Sequence, residues 1–291
     1  MLRIHVLLCA LGLLCACHGE PARPTRPLVG EGPVPMVFIP GGTFLMGALD
    51  SDKKARPCER PRHPVTVSGF YIDQHEVTVA AYAAAVATGH VTEPKNEAHL
   101  DWHGELATWG KPGFEEHPVN GVDWLQADAY CRALGKRLPT EAEFEYLLRA
   151  AHPDALYPWG DEPAPTPGFG NFACSECPPK YAEGHPFAGC EDGFVTTAPV
   201  MSFAPDPHGL YDLSGNVWEW CADWYGEDSY GPDPLTDPTG PATGRDKILR
   251  GGGHHCVLEE LRSSERHHKK QSDGAVFSGF RCASDQAVPA G

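Results

Sequence analysis

The residues best suited to chemistry lie in Ile248–Arg266, ILRGGGHHCVLEELRSSER. One thiol, Cys256, follows two imidazoles, His254 and His255, and His267 and His268 come shortly after. A cysteine among histidines offers a reacting thiolate, a soft metal ligand assisted by imidazole, or half of a disulfide. If the segment runs as a strand, neighbouring side chains face opposite ways, so only one of His254 and His255 can share a face with Cys256. A second group, CSECPPKYAEGHPFAGC, holds Cys174, Cys177 and Cys190. Its CxxC spacing suits zinc, with His185 as a further ligand, or redox chemistry, although a structural disulfide is the expected use in an exported loop.

Which use applies depends on the compartment. The N-terminus MLRIHVLLCALGLLCAC has a basic residue, Arg3, an apolar run from Val6 to Leu14, and small residues before Cys17. That is the pattern of a signal peptide, too short to be a permanent membrane span. Leu14-Cys15-Ala16-Cys17 resembles a bacterial lipobox, which implies cleavage after residue 16, lipidation of Cys17, and a protein tethered in the cell envelope. His18 after it gives no inner-membrane retention signal, so the expected place is the outer membrane, facing the periplasm or the cell surface. The Pro- and Gly-rich stretch that follows reads as a tether, residues 17–33. The chain has eleven cysteines, and eight remain beyond the signal region, an even number that suggests disulfides in an oxidising compartment. A formal charge of −16 excludes a nucleic-acid partner, which needs a basic face.

Few long elements are available to position these groups. With 32 Gly and 29 Pro the chain is dominated by turns. Three helices are expected: one capped by Thr78, one after Asp123 that stops at Gly135, and one opening on the capping-box pair Thr140 and Glu143. MVFIPGGTFLMG and HPVTVSGFYID read as short strands.

These pieces occur in a recognisable order: FIPGGTFLMG, HPVTVSGFYIDQHEVT, HPVNGVDWLQADAYCRALGKRLPTEAEFEY, YPWG, GLYDLSGNVWEWCADWY, LRGG and GFRCA. Together they resemble the formylglycine-generating enzyme family, also called sulfatase-modifying factors, over residues 34–285, with a tail at 286–291. The resemblance implies an α+β fold, a large variant of the C-type-lectin-like architecture with little regular structure. Active members oxidise a sulfatase cysteine to formylglycine with oxygen and copper held by two thiolates, a donor pair that suits soft Cu(I). Here the first thiolate position falls on Cys256 and the second on Leu261, which cannot ligate. The pocket serine of the family motif is Gly253, whereas its aromatic partner, Trp218, is kept. The resemblance also implies a Cys131–Cys282 disulfide and two structural Ca²⁺ sites. One uses Asn171, Asp192 and the carbonyls of Phe172 and Phe194; the other uses Asp212, Glu219 and the carbonyls of Gly215 and Val217. Without the resemblance, DLSGN would be a solvated turn.

The expectation is therefore an exported, lipid-anchored domain that lacks the standard copper oxidase activity and binds a peptide or an envelope protein, touching the membrane only through its anchor. The alternative is an active copper- and oxygen-dependent oxidase that makes formylglycine in sulfatases.

Overall fold

The computed structural model describes residues 28–29, 33–95, 103–162, 168–173 and 191–286. Cys17, Cys174, Cys177, Cys190 and His185 lie outside them.

In chain order the strands and helices are β1 (Leu28–Val29), β2 (Met36–Ile39), β3 (Gly42–Met46), β4 (His63–Val67), β5 (Phe70–Asp73), α1 (Val79–Ala87), α2 (His103–Leu106), α3 (Trp124–Ala133) and α4 (Glu141–Leu148). After a long irregular stretch follow β6 (Trp218–Trp224), β7 (Leu235–Thr236), β8 (Asp246–Arg250), β9 (His267–Lys270), β10 (Ser278–Gly279) and β11 (Ala283–Ser284). This is an α+β fold with little regular structure. Each strand segment expected from sequence divides in two where small residues allow a turn, at Pro40–Gly41 between β2 and β3 and at Ser68–Gly69 between β4 and β5.

The helix starts follow from local chemistry. The Thr78 side chain accepts the Ala81 N–H, Asp123 and Gln126 form a capping box, and Thr140 and Glu143 form another. Gly135, with φ of 68°, follows the end of α3 in a conformation that disfavours a side chain.

Among the described residues three sheets result, ordered β1-β2-β5-β11, β10-β6-β8-β9 and β3-β4-β7. β1 pairs with β2 inside the stretch that composition reads as tether, with Leu28 opposite Val37. Against the first sheet, α4 lays Phe144, Leu147 and Leu148, which form one core with Ile39, Ile72 and Ile248. A second core joins α1 and α3 to Trp218 and Trp220 of β6, and takes in Cys256 and Leu261.

A Cys131–Cys282 disulfide ties α3 to the residue before β11, closing a sequence separation of 151 residues. Such a bond chiefly restricts the unfolded chain. Replacing both cysteines by alanine is expected to lower the unfolding free energy by about 2–5 kcal/mol. Chemical denaturation of the double variant checks this, and an unchanged midpoint would remove the bond's stabilising role.

Candidate functional site

The Cys256 segment is shaped by backbone first. After β8, Gly251 (φ 92°) and Gly252 (φ 80°) take the left-handed conformation that glycine tolerates. The chain then makes a turn, closed by the Cys256 N–H donating to the Gly253 carbonyl at 2.9 Å. The expectation of alternating strand faces for His254, His255 and Cys256 is thus replaced by turn geometry.

Buried arginines hold both ends of this turn. The Arg250 guanidinium donates to Glu145 Oε2 at 2.6 Å and to the Ser263 carbonyl at 2.7 Å, so the start and the return of the segment meet at one side chain. Farther on, Arg262 binds Asp52 at 2.8 Å, and Arg266 binds Glu141 at 2.7 Å. Buried pairs of this kind add little over an apolar core, but losing one partner strands the other charge.

Within this frame Cys256 is a free, fully buried thiol and not half of a disulfide. Its Sγ accepts the Gly253 N–H at 3.2 Å and lies 3.9 Å from His255 Nε2. The side chains of Trp218 and Glu260 stand near it. Burial, followed by the Glu260 carboxylate, pushes the thiol well above its ordinary range. The metal-free thiol is therefore protonated at neutral pH, and a metal would have to displace that proton to bind it.

Leu261 stands beside it. A methyl group placed on Gly252 would lie 2.5 Å from Leu261 Cδ2 and 3.8 Å from Cys256 Cβ, so both side chains crowd one point of the backbone. The two positions of the family's thiolate pair are adjacent, and the second carries an isobutyl group that is 2 % exposed.

The histidines divide. His255 stacks on Phe277 with ring centroids 3.8 Å apart, while His254 turns away and its Nδ1 meets the Asn216 carbonyl at 3.0 Å. Burial lowers His254 to about 4, so it is neutral at pH 7. His267 stacks on Trp218 with centroids 4.8 Å apart, and burial followed by the Lys269 charge lowers it to about 3. His268 bonds to Asp246 at 3.0 Å. The structure brings only His255 of these four to hydrogen-bonding range of the thiol.

The oxygen-rich residues form two groups. In the first, Asp192 accepts the N–H groups of Phe172 and Phe194, each at 2.9 Å, and so draws both residues around itself. Asn171 is 1 % exposed; its Nδ2 donates to the Thr196 carbonyl at 2.7 Å, while its Oδ1 is buried with no partner among the described residues. In the second, Asp212 Oδ2 accepts the Met201 N–H at 2.8 Å and Oδ1 is again buried without a partner. Both Glu219 oxygens are engaged by Arg281, the nearest contact being 2.6 Å. Glycine is required at Gly215, where an added Cβ would meet the Asn171 carbonyl at 2.3 Å.

Sequence reasoning missed Glu76, which joins the second group from the segment before α1. Asn216 Nδ2 donates to its Oε2 at 3.1 Å, and its Oε1 has no partner among the described residues. Burial, then repulsion from Asp212 and Glu219, pushes Glu76 well above the carboxylate range, and burial pushes Asp212 up to about 6. Three buried carboxylates thus face one buried guanidinium, Arg281, leaving two negative charges uncompensated when all ionise. An acid between Gln74-His75 and Val77-Thr78 carries no local mark of a partner so far along the chain. Among the described residues, no three His, Cys, Asp or Glu side chains converge as a metal-holding group. The donors available here are largely amide and carbonyl oxygens, as hard cations accept.

Comparison with known proteins places the chain in a family. The model of the sulfatase-modifying factor enzyme 1-like domain matches residues 27–286. The chain is 36 % identical to the formylglycine-generating enzyme of Streptomyces coelicolor, over 95 % of this chain and 96 % of that protein. It is 35 % identical to the serine/threonine-protein kinase pkn1 of Chlamydia caviae, over 85 % of this chain and 37 % of the kinase. Among solved structures, PvdO from Pseudomonas aeruginosa shares the fold, with a TM-score of 0.69 at 24 % identity over 92 % of this chain and all of that one. The chain belongs to the sulfatase-modifying factor, or formylglycine-generating enzyme, family.

Proposed function

We propose that this domain is an exported member of the family without copper-dependent formylglycine formation, and that it acts by binding a peptide or another protein of the cell envelope. The observation that carries this reading is Leu261 packed beside Cys256. An isobutyl group has no lone pair for Cu(I), so the residues present do not supply the two thiolates of the family's copper centre. Gly253, in place of the pocket serine, removes a hydroxyl from the same surroundings. The purified protein is expected to take up less than stoichiometric Cu(I) in competition with a chelator, and Cys256→Ser is expected to change this little. Tight one-to-one copper that the substitution abolishes would instead favour the second reading, an active oxidase in which His255, 3.9 Å from the thiol, replaces the missing ligand.

The orphaned oxygens of Asn171, Asp212 and Glu76 and the charge excess around Arg281 support two structural Ca²⁺ ions. Asn171, Asp192 and the Phe172 and Phe194 carbonyls would hold one. Asp212, Glu219 and the Gly215 and Val217 carbonyls would hold the other, with Glu76 as a neighbour. The bound cations would offset buried negative charge and take no part in chemistry.

The lipobox at Leu14–Cys17 supports anchoring in the envelope, with Cys17 as the lipidated N-terminus. Mass spectrometry of membrane fractions is expected to show a diacylglyceryl-modified Cys17 peptide. A mature N-terminus at any other residue would end this reading.

A further inference from the structure

Between the C-terminal end of α4 and residues 204–214 lies a pocket of about 160 Å³. Its walls are mainly apolar, built by Leu147, Leu148, Pro158, Phe169, Leu210 and Leu213. Exposed Ala151 and Ala204 stand at its rim, so the pocket is open to solvent.

His152, Asp206, Asp212 and Ser214 interrupt this lining. Asp206 Oδ1 accepts the N–H groups of His208 and Leu210, each at 2.8 Å, but Oδ2 is buried with no partner among the described residues. Ser214, only 4 % exposed, likewise has a buried Oγ without a partner there. Unmet buried acceptors are costly, each roughly 1–3 kcal/mol, and native proteins rarely leave them so. The Cys256 site uses neither residue. Asp212 alone is shared with the oxygen-rich cluster, and it also lines the pocket.

Size and chemistry together define an occupant. A cavity of roughly 150 Å³ lined by aliphatic and aromatic side chains holds one benzene ring. A carboxylate on an otherwise apolar wall selects a cation that donates hydrogen bonds. We propose that this pocket binds a small primary ammonium compound with one aromatic ring or a branched alkyl body. The body packs against Leu147, Leu148, Phe169 and Leu210, and the ammonium donates to the Asp206 carboxylate, with Ser214 Oγ as a further acceptor on the same wall. An anion is rejected by the Asp206 carboxylate, and a neutral isostere forgoes the charge-assisted bond.

The test uses the full mature chain with excess Ca²⁺, which keeps Asp212 in one state. It is titrated with 2-phenylethylammonium, 2-phenylethanol and phenylacetate, followed by NMR shifts and by the melting temperature. The ammonium is expected to saturate and to bind at least about tenfold more tightly than the alcohol, equivalent to about 1.4 kcal/mol, with phenylacetate weaker still. Asp206→Asn, which keeps the Oδ1 acceptor, is expected to abolish the preference for amine over alcohol. Ala204→Trp, at the exposed rim, is expected to block all three compounds without lowering the melt of the free protein. Equal binding of amine and alcohol to the unmodified protein, no saturation by the amine up to about 10 mM, a dissociation constant too weak to specify a site, or unimpaired binding to Ala204→Trp would overturn the proposal. If Asp206→Asn does not fold, the Ala204→Trp result still decides.

Discussion

Removing Ca²⁺ is expected to lower the melting temperature by about 10 °C or more. Around Arg281 the protein buries Glu76, Asp212 and Glu219, and a second cluster buries the amide oxygen of Asn171 beside Asp192. Without a cation, these groups either repel one another or take up protons, and both outcomes cost folding free energy. An ion that binds only the folded state stabilises it by about 2.7 kcal/mol per site at a hundredfold excess over Kd, so two sites supply about 5 kcal/mol. A chain of this size shifts its midpoint by about 2–4 °C per kcal/mol, which gives the stated change. Asp212→Asn is expected to remove roughly half of the sensitivity to chelator, because it disables one site. Calorimetry with and without chelator measures both. Identical melts of calcium-loaded and metal-free protein would show that Arg281 and protonation alone balance the buried acids.

The second large effect is a gain. The double variant Leu261→Cys, Gly253→Ser is expected to bind Cu(I) at least about a hundredfold more tightly than the unmodified chain, roughly 2.8 kcal/mol. Leu261 and Cys256 both approach the same point on Gly252, so a thiol at 261 is expected to stand near the thiol at 256. Gly253 keeps an ordinary backbone conformation, and an added Cβ there would stand 3.3 Å from His255 Nδ1, so the ring need yield only slightly. Trimming buried Leu261 costs about 2 kcal/mol, which the disulfide-tied core can bear. Chelator competition reads the affinity. Unchanged copper affinity in a folded double variant would mean that positions 256 and 261 do not face a common ion.

Features set by neighbouring residues were legible in the sequence. Thr78, Asp123 and Thr140 satisfy N–H groups only three residues away, so their caps needed no tertiary knowledge. The ordered motifs carried the α+β fold and the Cys131–Cys282 pairing through family resemblance, not through any local signal. What the chain hid was long-range. Glu76 reaches a cluster more than a hundred residues away, and Arg262 pairs with Asp52 and Glu59 across most of the chain. Residues 28–29 read as tether because the stretch is rich in Pro and Gly, yet pairing with β2 makes them a strand. The course of residues 253–256 was open in the sequence, and the positive φ of Gly251 and Gly252 leads the chain into a turn there. Burial of Cys256 was equally invisible, since it depends on Trp218, Glu260 and Leu261 packing around the thiol.

The most direct measurement is turnover. The purified mature protein is supplied with Cu(I), oxygen, a reductant and a sulfatase-type cysteine peptide, and the peptide is weighed by mass spectrometry. With Leu261 in place of the second thiolate and Gly253 in place of the pocket serine, the peptide is expected to remain unconverted. Formylglycine formed in proportion to enzyme and time, and lost in Cys256→Ser, would contradict the account and make His255 the ligand that restores the centre.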